Sequence, residues 1–290
     1  MKMNIIPMFN SPYLFKDKKK RKYEPYISGL GGGVTGITAL PPTSISGIRV
    51  SVEPEGLAGF ADDGPIDVWV NEVAPGTNDF IQATEANKPL CKTNILNGFR
   101  IARFDGVSDR VSTQYGPKDD VADGFTFAVV FRTNDLATRQ LILWTGDANS
   151  PGFPPSGFVT APFSITDDGA ANLVGNLLHN PAGPNTVKSY ASLTDTANFH
   201  IGICTFSGLT NNPGNKTTQM FLDGSFATPQ TLSFSLDYTQ FVDLVRMGTP
   251  GNLAANFFNG DIAAAAIFAR ALSESEILGL NLFWKNKFNL

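Results

Sequence analysis

The feature that most constrains this chain is a series of short apolar runs, cut apart by turn formers, that alternate large apolar residues with small or polar ones. The runs cover residues 99–104, 125–133, 140–146, 161–167, 172–178, 199–206, 218–224, 242–248 and 261–268. A period of two places every second side chain on one face of a strand, the pattern of a sheet with one face buried. Asp-Gly at 105–106, Gly-Asp at 146–147, Asp-Asp-Gly at 167–169 and Asn-Asn-Pro-Gly-Asn at 211–215 supply the reversals. Nine strands at this spacing predict an all-β fold, a jelly-roll sandwich of two antiparallel sheets. The 23 Phe, 28 Gly and 19 Pro suit strands and turns and would be tolerated poorly in long helices.

Ala263–Ala266 has helical propensity, but Gly260 and Asp261 before it and Ile-Phe-Ala-Arg after it read as a central strand. Small side chains are needed there if the opposing sheet comes close or an aromatic neighbour fills the space. The last segment, SESEILGLNLFWKNKF, predicts a short C-terminal helix. Ser273 and Glu276 form a capping box, and Ile277, Leu280 and Trp284 share a face.

The domain reading is an N-terminal arm at 1–28, a Gly/Pro-rich linker with a short strand at 29–55, and the sandwich at 56–290. Six of the 22 basic residues fall between Lys16 and Lys22, including Lys18, Lys19, Lys20 and Arg21. Three readings fit this extended arm: a solvated tail, a dock on an acidic partner protein, or a nucleic-acid contact. Phe9, Tyr13, Phe15, Tyr23 and Tyr26 favour docking over a purely solvated tail, since a disordered polar tail has little use for large apolar groups. A net charge of −4 argues against nucleic acid as the main partner. Gly31–Gly33 lack the Lys-Ser or Lys-Thr of a phosphate loop and read as a hinge. The N-terminus, with Pro7 and Asn10 interrupting its apolar residues and its charges following them, does not read as a signal peptide. No apolar stretch is long enough to span a membrane. Export is therefore expected by lysis, within an assembled particle or by a dedicated route.

Three blocks carry a resemblance. They are residues 56–111, running from GLAGFADDGPIDVWV to FRIARFDGVSDRV; MFLDGSF at 220–226; and FFNGDIAAAAIFARALSESEI at 257–277. In this order they resemble the concanavalin A-like lectin/glucanase superfamily, in its laminin-G-like branch frequent in phage structural proteins and bacterial surface proteins. They span about four fifths of the chain. The resemblance implies a concanavalin A-like sandwich and leaves function open, because that fold hosts sugar binding, adhesion, glycan hydrolysis and inert scaffolding.

Catalysis finds little support in the residues. Glycosidases need two carboxylates across the scissile bond, and the superfamily's glucanases supply them as Glu-x-Asp-x-x-Glu on one strand. That motif is absent, and all seven glutamates lie at or before Glu85 or at or after Glu274. His179 and His200 read as locally bonded histidines, since no nucleophile elbow marks a serine partner. Cys91 and Cys204 read as buried free thiols, with a bridge as the alternative. Calcium remains an option: Asp105, Asp109, Asp147, Asp167 and Asp168 lie at strand ends where they could converge, although each also suits an ordinary turn.

Trp69, Trp144, Phe153 and Phe158 are the candidate surface or ligand contacts, the two tryptophans with core packing as their alternative. The expected function is a non-enzymatic virion structural protein, such as a capsid decoration or tail-fibre component. The arm would join other virion proteins or further copies of the chain, and the sandwich would face outward toward a host surface. The alternative is a carbohydrate-binding, lectin-like module of a secreted or surface protein, with a glycoside hydrolase behind both.

Overall fold

The computed structural model describes residues 36–116, 124–146, 160–165, 173–180, 185–207, 216–232, 244–249 and 256–290. Contacts divide the chain between Gly36 and Ile37, and the sandwich lies wholly within the second unit, Ile37–Leu290. In chain order its strands are β1 (Ile48–Val52), β2 (Val68–Trp69), β3 (Phe80–Ile81), β4 (Leu90–Leu96), β5 (Phe99–Asp105), β6 (Val111–Thr113), β7 (Gly124–Thr133), β8 (Gln140–Gly146) and β9 (Thr160–Ile165). They continue with β10 (Leu173–Asn180), β11 (Asn185–Ser192), β12 (His200–Ser207), β13 (Lys216–Leu222), β14 (Ser225–Phe226), β15 (Gln230–Leu232), β16 (Val245–Met247) and β17 (Asn259–Phe268), and the chain ends in helix α1 (Glu274–Phe288).

The first sheet runs β14-β13-β12-β7-β17-β5-β4, with β15 on β13 and β1 on β17. The second runs β11-β10-β9-β8-β16-β6-β3-β2. β17 carries three neighbours: its first residues pair with β5, its last with β1, and β7 flanks it on the other side. The short strand expected in residues 29–55 is β1, which is thus an integral part of the first sheet.

The two sheets enclose a core that includes Trp69, Phe104, Phe127, Phe131, Phe163 and Phe206. Gly202 on β12 is where Phe163 enters from the facing sheet, since a Cβ there would stand 2.5 Å from the ring's Cζ. A second core lies on the other side of the first sheet, where Ile277, Leu280, Trp284 and Phe288 of α1 pack on Ala128, Val130, Ile203 and Ala264. The central strands are therefore buried on both faces and read as continuous apolar runs. A bulge between Ile262 and Ala264 turns both Ala263 and Ala264 toward the helix. The alanine run is a strand, as expected, and its small side chains make room for the aromatic face of α1.

The helix begins with the expected capping box, Ser273 and Glu276. Arg270 pairs with Glu276 and holds its carboxyl down to about 2. At the other end the Trp284 indole donates to Glu53 Oε1 at 2.9 Å, and Lys287 pairs with Glu53 and Glu55 at 2.9 and 2.8 Å. Burial pushes the Glu53 carboxyl up, and Lys287 and Trp284 offset part of that push. The Asp-Gly signal at 223–224 is a two-residue hairpin turn, with φ of 51° and 107°, joining β13 to β14. Asp261 of the Gly-Asp-Ile segment is fully buried and lies directly across from Arg103 on β5 and Arg132 on β7. Both guanidiniums pair with its carboxylate, Arg103 at 2.7 Å.

Candidate ligand-binding face

The arm (residues 1–28) with its aromatic and basic candidates, the Gly31–Gly33 hinge, and Phe153, Phe158, Asp147, Asp167 and Asp168 lie outside the described residues. Trp69 is 0% exposed, its indole donating to the Glu53 carbonyl, and Trp144 is 3% exposed. The expectation that these rings contact a ligand directly is corrected by this burial: a ring shut off from solvent offers no stacking platform. Cys91 and Cys204 are both buried and are not joined in a disulfide, so the bridge is not formed.

Asp105 and Asp109 do come together, in the turn between β5 and β6. Asp105 Oδ1 accepts from the amides of Val107, Ser108 and Asp109 at 2.8, 2.9 and 3.0 Å. Burial alone would raise the Asp105 carboxyl, but these amides outweigh it and hold it below its ordinary value. Asp109 accepts the Asp105 amide at 3.0 Å, and burial, helped by the Asp105 charge, pushes its carboxyl up to about 7. The pair is thus tied up in its own backbone, the turn reading of the sequence. Among the described residues no group of three acidic, His or Cys side chains is placed to hold a metal.

Asp109 makes a testable contribution to stability. Its folded-state pKa lies above the unfolded value, so the associated stability is present below about pH 4 and is lost as pH rises through about 7. Asp109→Asn keeps an oxygen for the Asp105 amide and removes the ionisation penalty. It should match the wild type at pH 4 and exceed it by roughly 2–4 kcal/mol at pH 8. Urea titrations across this range check it, and parallel pH profiles for the two proteins would contradict it.

His200 opens β12, which lies between β13 and β7 and is not an edge strand. Its Nδ1 meets Asp223 Oδ2 at 2.7 Å and its Nε2 meets the Asp195 carbonyl at 3.2 Å. Burial works against the imidazolium, but the Asp223 hydrogen bond and charge prevail and hold the ring above its ordinary value. His179 lies in β10 opposite Thr186.

The arrangement with ligand-binding character lies on the outer face of the second sheet. Leu143 and Met247 are cross-strand partners in the core, so the next pair, Trp144 on β8 and Arg246 on β16, points the other way. Ser112 on β6 sits opposite Arg246, and Ile81 on β3 opposite Ser112, giving one row across four strands. The Arg246 guanidinium stands 5.6 Å from the Trp144 ring centre, within cation–π range. Arg246 is half-buried, and among the described residues no carboxylate pairs with it. Burial, and then the charge of Arg110, push its proton affinity down from the ordinary value. Ile81 is 45% exposed, with Val68 of β2 across from it on the far side. Trp144 thus lies beneath the Arg246 guanidinium and is itself shut off from solvent.

Arg246, Ser112, Ile81 and Arg110 were not among the sequence candidates. The available signal was a charged residue between Val245 and Met247, flanked by apolar positions in a predicted strand.

No family model and no curated protein matches the chain. Among solved structures it is similar to a Trypanosoma rangeli sialidase in complex with 2,3-difluorosialic acid, at 13% identity and a TM-score of 0.53, over 83% of this chain and 33% of that one. It is also similar to the CBM40 module of the Ruminococcus gnavus IT-sialidase bound to α2,3-sialyllactose, at 14% identity and a TM-score of 0.42, over 56% and 85%. A mutant of the NanB sialidase from Streptococcus pneumoniae matches at 10% identity and a TM-score of 0.43, over 61% of this chain and 27% of that one. The chain spans about a third of the trypanosomal enzyme's length, and what the two share at this identity is a fold. At that level the chain is an all-β sandwich of two antiparallel sheets with one C-terminal helix.

Proposed function

We propose that this protein is a non-catalytic carbohydrate-binding sandwich and that its ligand surface is the outer face of the second sheet around Arg246. The observation that carries this reading is the cross-strand row itself. A guanidinium backed by an aromatic ring, a hydroxyl and an exposed aliphatic side chain lie side by side on adjacent strands. Sugars present hydroxyls along their edges and C–H groups on their faces, and such a mixed surface can meet both. Rigid strands also hold the contact groups in place, which lowers the ordering cost of binding.

The alternative drawn from the sequence, a binding module, is the reading that the described residues favour. The virion-protein reading rests on the basic and aromatic arm, which lies outside them. The finer resemblance to laminin-G-like domains enters only through the sandwich that such domains share.

Titration calorimetry of the full chain against neutral and acidic oligosaccharides tests the proposal. At least one should bind, and Arg246→Ala should weaken it about tenfold, the effect of losing one hydrogen bond to a charged group. Ile81→Asp should weaken it as well, while His200→Gln, in the other sheet, should not. Binding that survives both Arg246→Ala and Ile81→Asp would place the ligand elsewhere, and failure of every oligosaccharide to bind would refute the carbohydrate reading.

A further inference from the structure

Among the described residues the charge around Arg246 is of one sign. Its guanidinium rests on Trp144, with no acidic partner among those residues, and Arg110 stands two residues before its cross-strand neighbour Ser112. Arg110 itself donates to the Ser108 carbonyl at 3.3 Å and forms no ion pair with a described residue. Taking a cation part-way out of water without a counter-charge is unfavourable, and the fold tolerates it here beside a second cation. Unmatched positive charge on one face is what an oxyanion would complete, since a carboxylate or sulfate accepts several charge-assisted hydrogen bonds from a guanidinium.

Building on the carbohydrate reading above, we infer that this face selects acidic ligands, with Arg246 and Arg110 receiving a carboxylate or sulfate group. Trp144 is a positioning residue that holds the Arg246 guanidinium toward the ligand.

The test uses the full chain and three probes that share one sugar ring: methyl glucuronide, methyl glucoside and glucose 6-sulfate. The acidic probes should bind about tenfold or more tightly than the glucoside, and the gap should shrink as salt is raised. Preference for glucuronide over sulfate identifies a carboxylate as the natural group, and the reverse order identifies a sulfate. Arg246→Met should abolish the preference, Arg246→Lys should retain part of it, and Arg110→Gln should reduce it, with thermal melts confirming that each variant is folded. Trp144→Leu should lower acidic-probe affinity while neutral-probe affinity changes less. Equal binding of glucoside and glucuronide overturns the acidic-ligand inference and leaves the carbohydrate reading standing. If no sugar binds, that reading fails, and a titration with acetate separates the two: Arg246-dependent acetate binding preserves the oxyanion site, and its absence removes that as well.

Discussion

Asp261→Ala should lower the unfolding free energy by about 3 kcal/mol, because removing one partner of a buried ion pair strands the other. Here it strands two. Arg103 and Arg132 lie on the strands either side of β17, and both reach the one carboxylate, whose side chain is fully buried. The two guanidiniums are partly exposed, so water recovers some of the loss, which is why the expected cost sits at the low end for a buried pair. Arg132 also stands 5.1 Å from the Phe199 ring, tying the network to the residue that leads into β12. Urea denaturation of the variant checks this, and a loss under about 1 kcal/mol would mean that the network is only a solvated ion cluster.

Trp284→Ala is expected to cost about 4 kcal/mol, in the range for large-to-small changes of a buried aromatic. Trp284 is fully buried between α1 and the first sheet, and its indole is one of the two partners that hold the buried Glu53 carboxylate. The alanine variant both opens a cavity and leaves Glu53 to Lys287 alone. Trp284→Phe keeps most of the volume and loses the hydrogen bond, so it should cost roughly 1–3 kcal/mol. Hydrogen exchange in the alanine variant should rise first in α1 and in β1, which carries the chain to Glu53. Uniform loss of protection across both sheets would contradict a local role for this contact.

These two sites also mark what was legible in the sequence. The runs at 125–133, 140–146 and 261–268 became strands because their apolar periodicity is long and their flanks turn, and Ser273 with Glu276 announces the helix locally. β3, β6, β11 and β15 have no counterpart among the apolar runs, and β4 shows only as a strand-like stretch around Cys91. β4 mixes Lys92, Thr93 and Asn94 with its apolar residues, and Asn94 breaks the pleat at a φ of 59°. β11 lies at a sheet edge and is largely polar. The Asp261 network and the Arg246 row depend on which strands lie side by side. Arg246 meets Trp144 across 102 positions of sequence, through a strand only three residues long, and no local pattern encodes that register. Trp144 drew attention as an aromatic, but its burial and its role beneath Arg246 follow only from the pairing of β8 with β16.

The central claim is that the outer face of the second sheet is where ligand binds. Chemical-shift mapping on the isotopically labelled full chain, titrated with an oligosaccharide that binds, tests it most directly. The largest changes should fall on the Trp144 indole N–H and on the amides of Ile81, Ser112 and Arg246. Changes confined to α1, or to the Asp223–Gly224 hairpin at the edge of the first sheet, would contradict it.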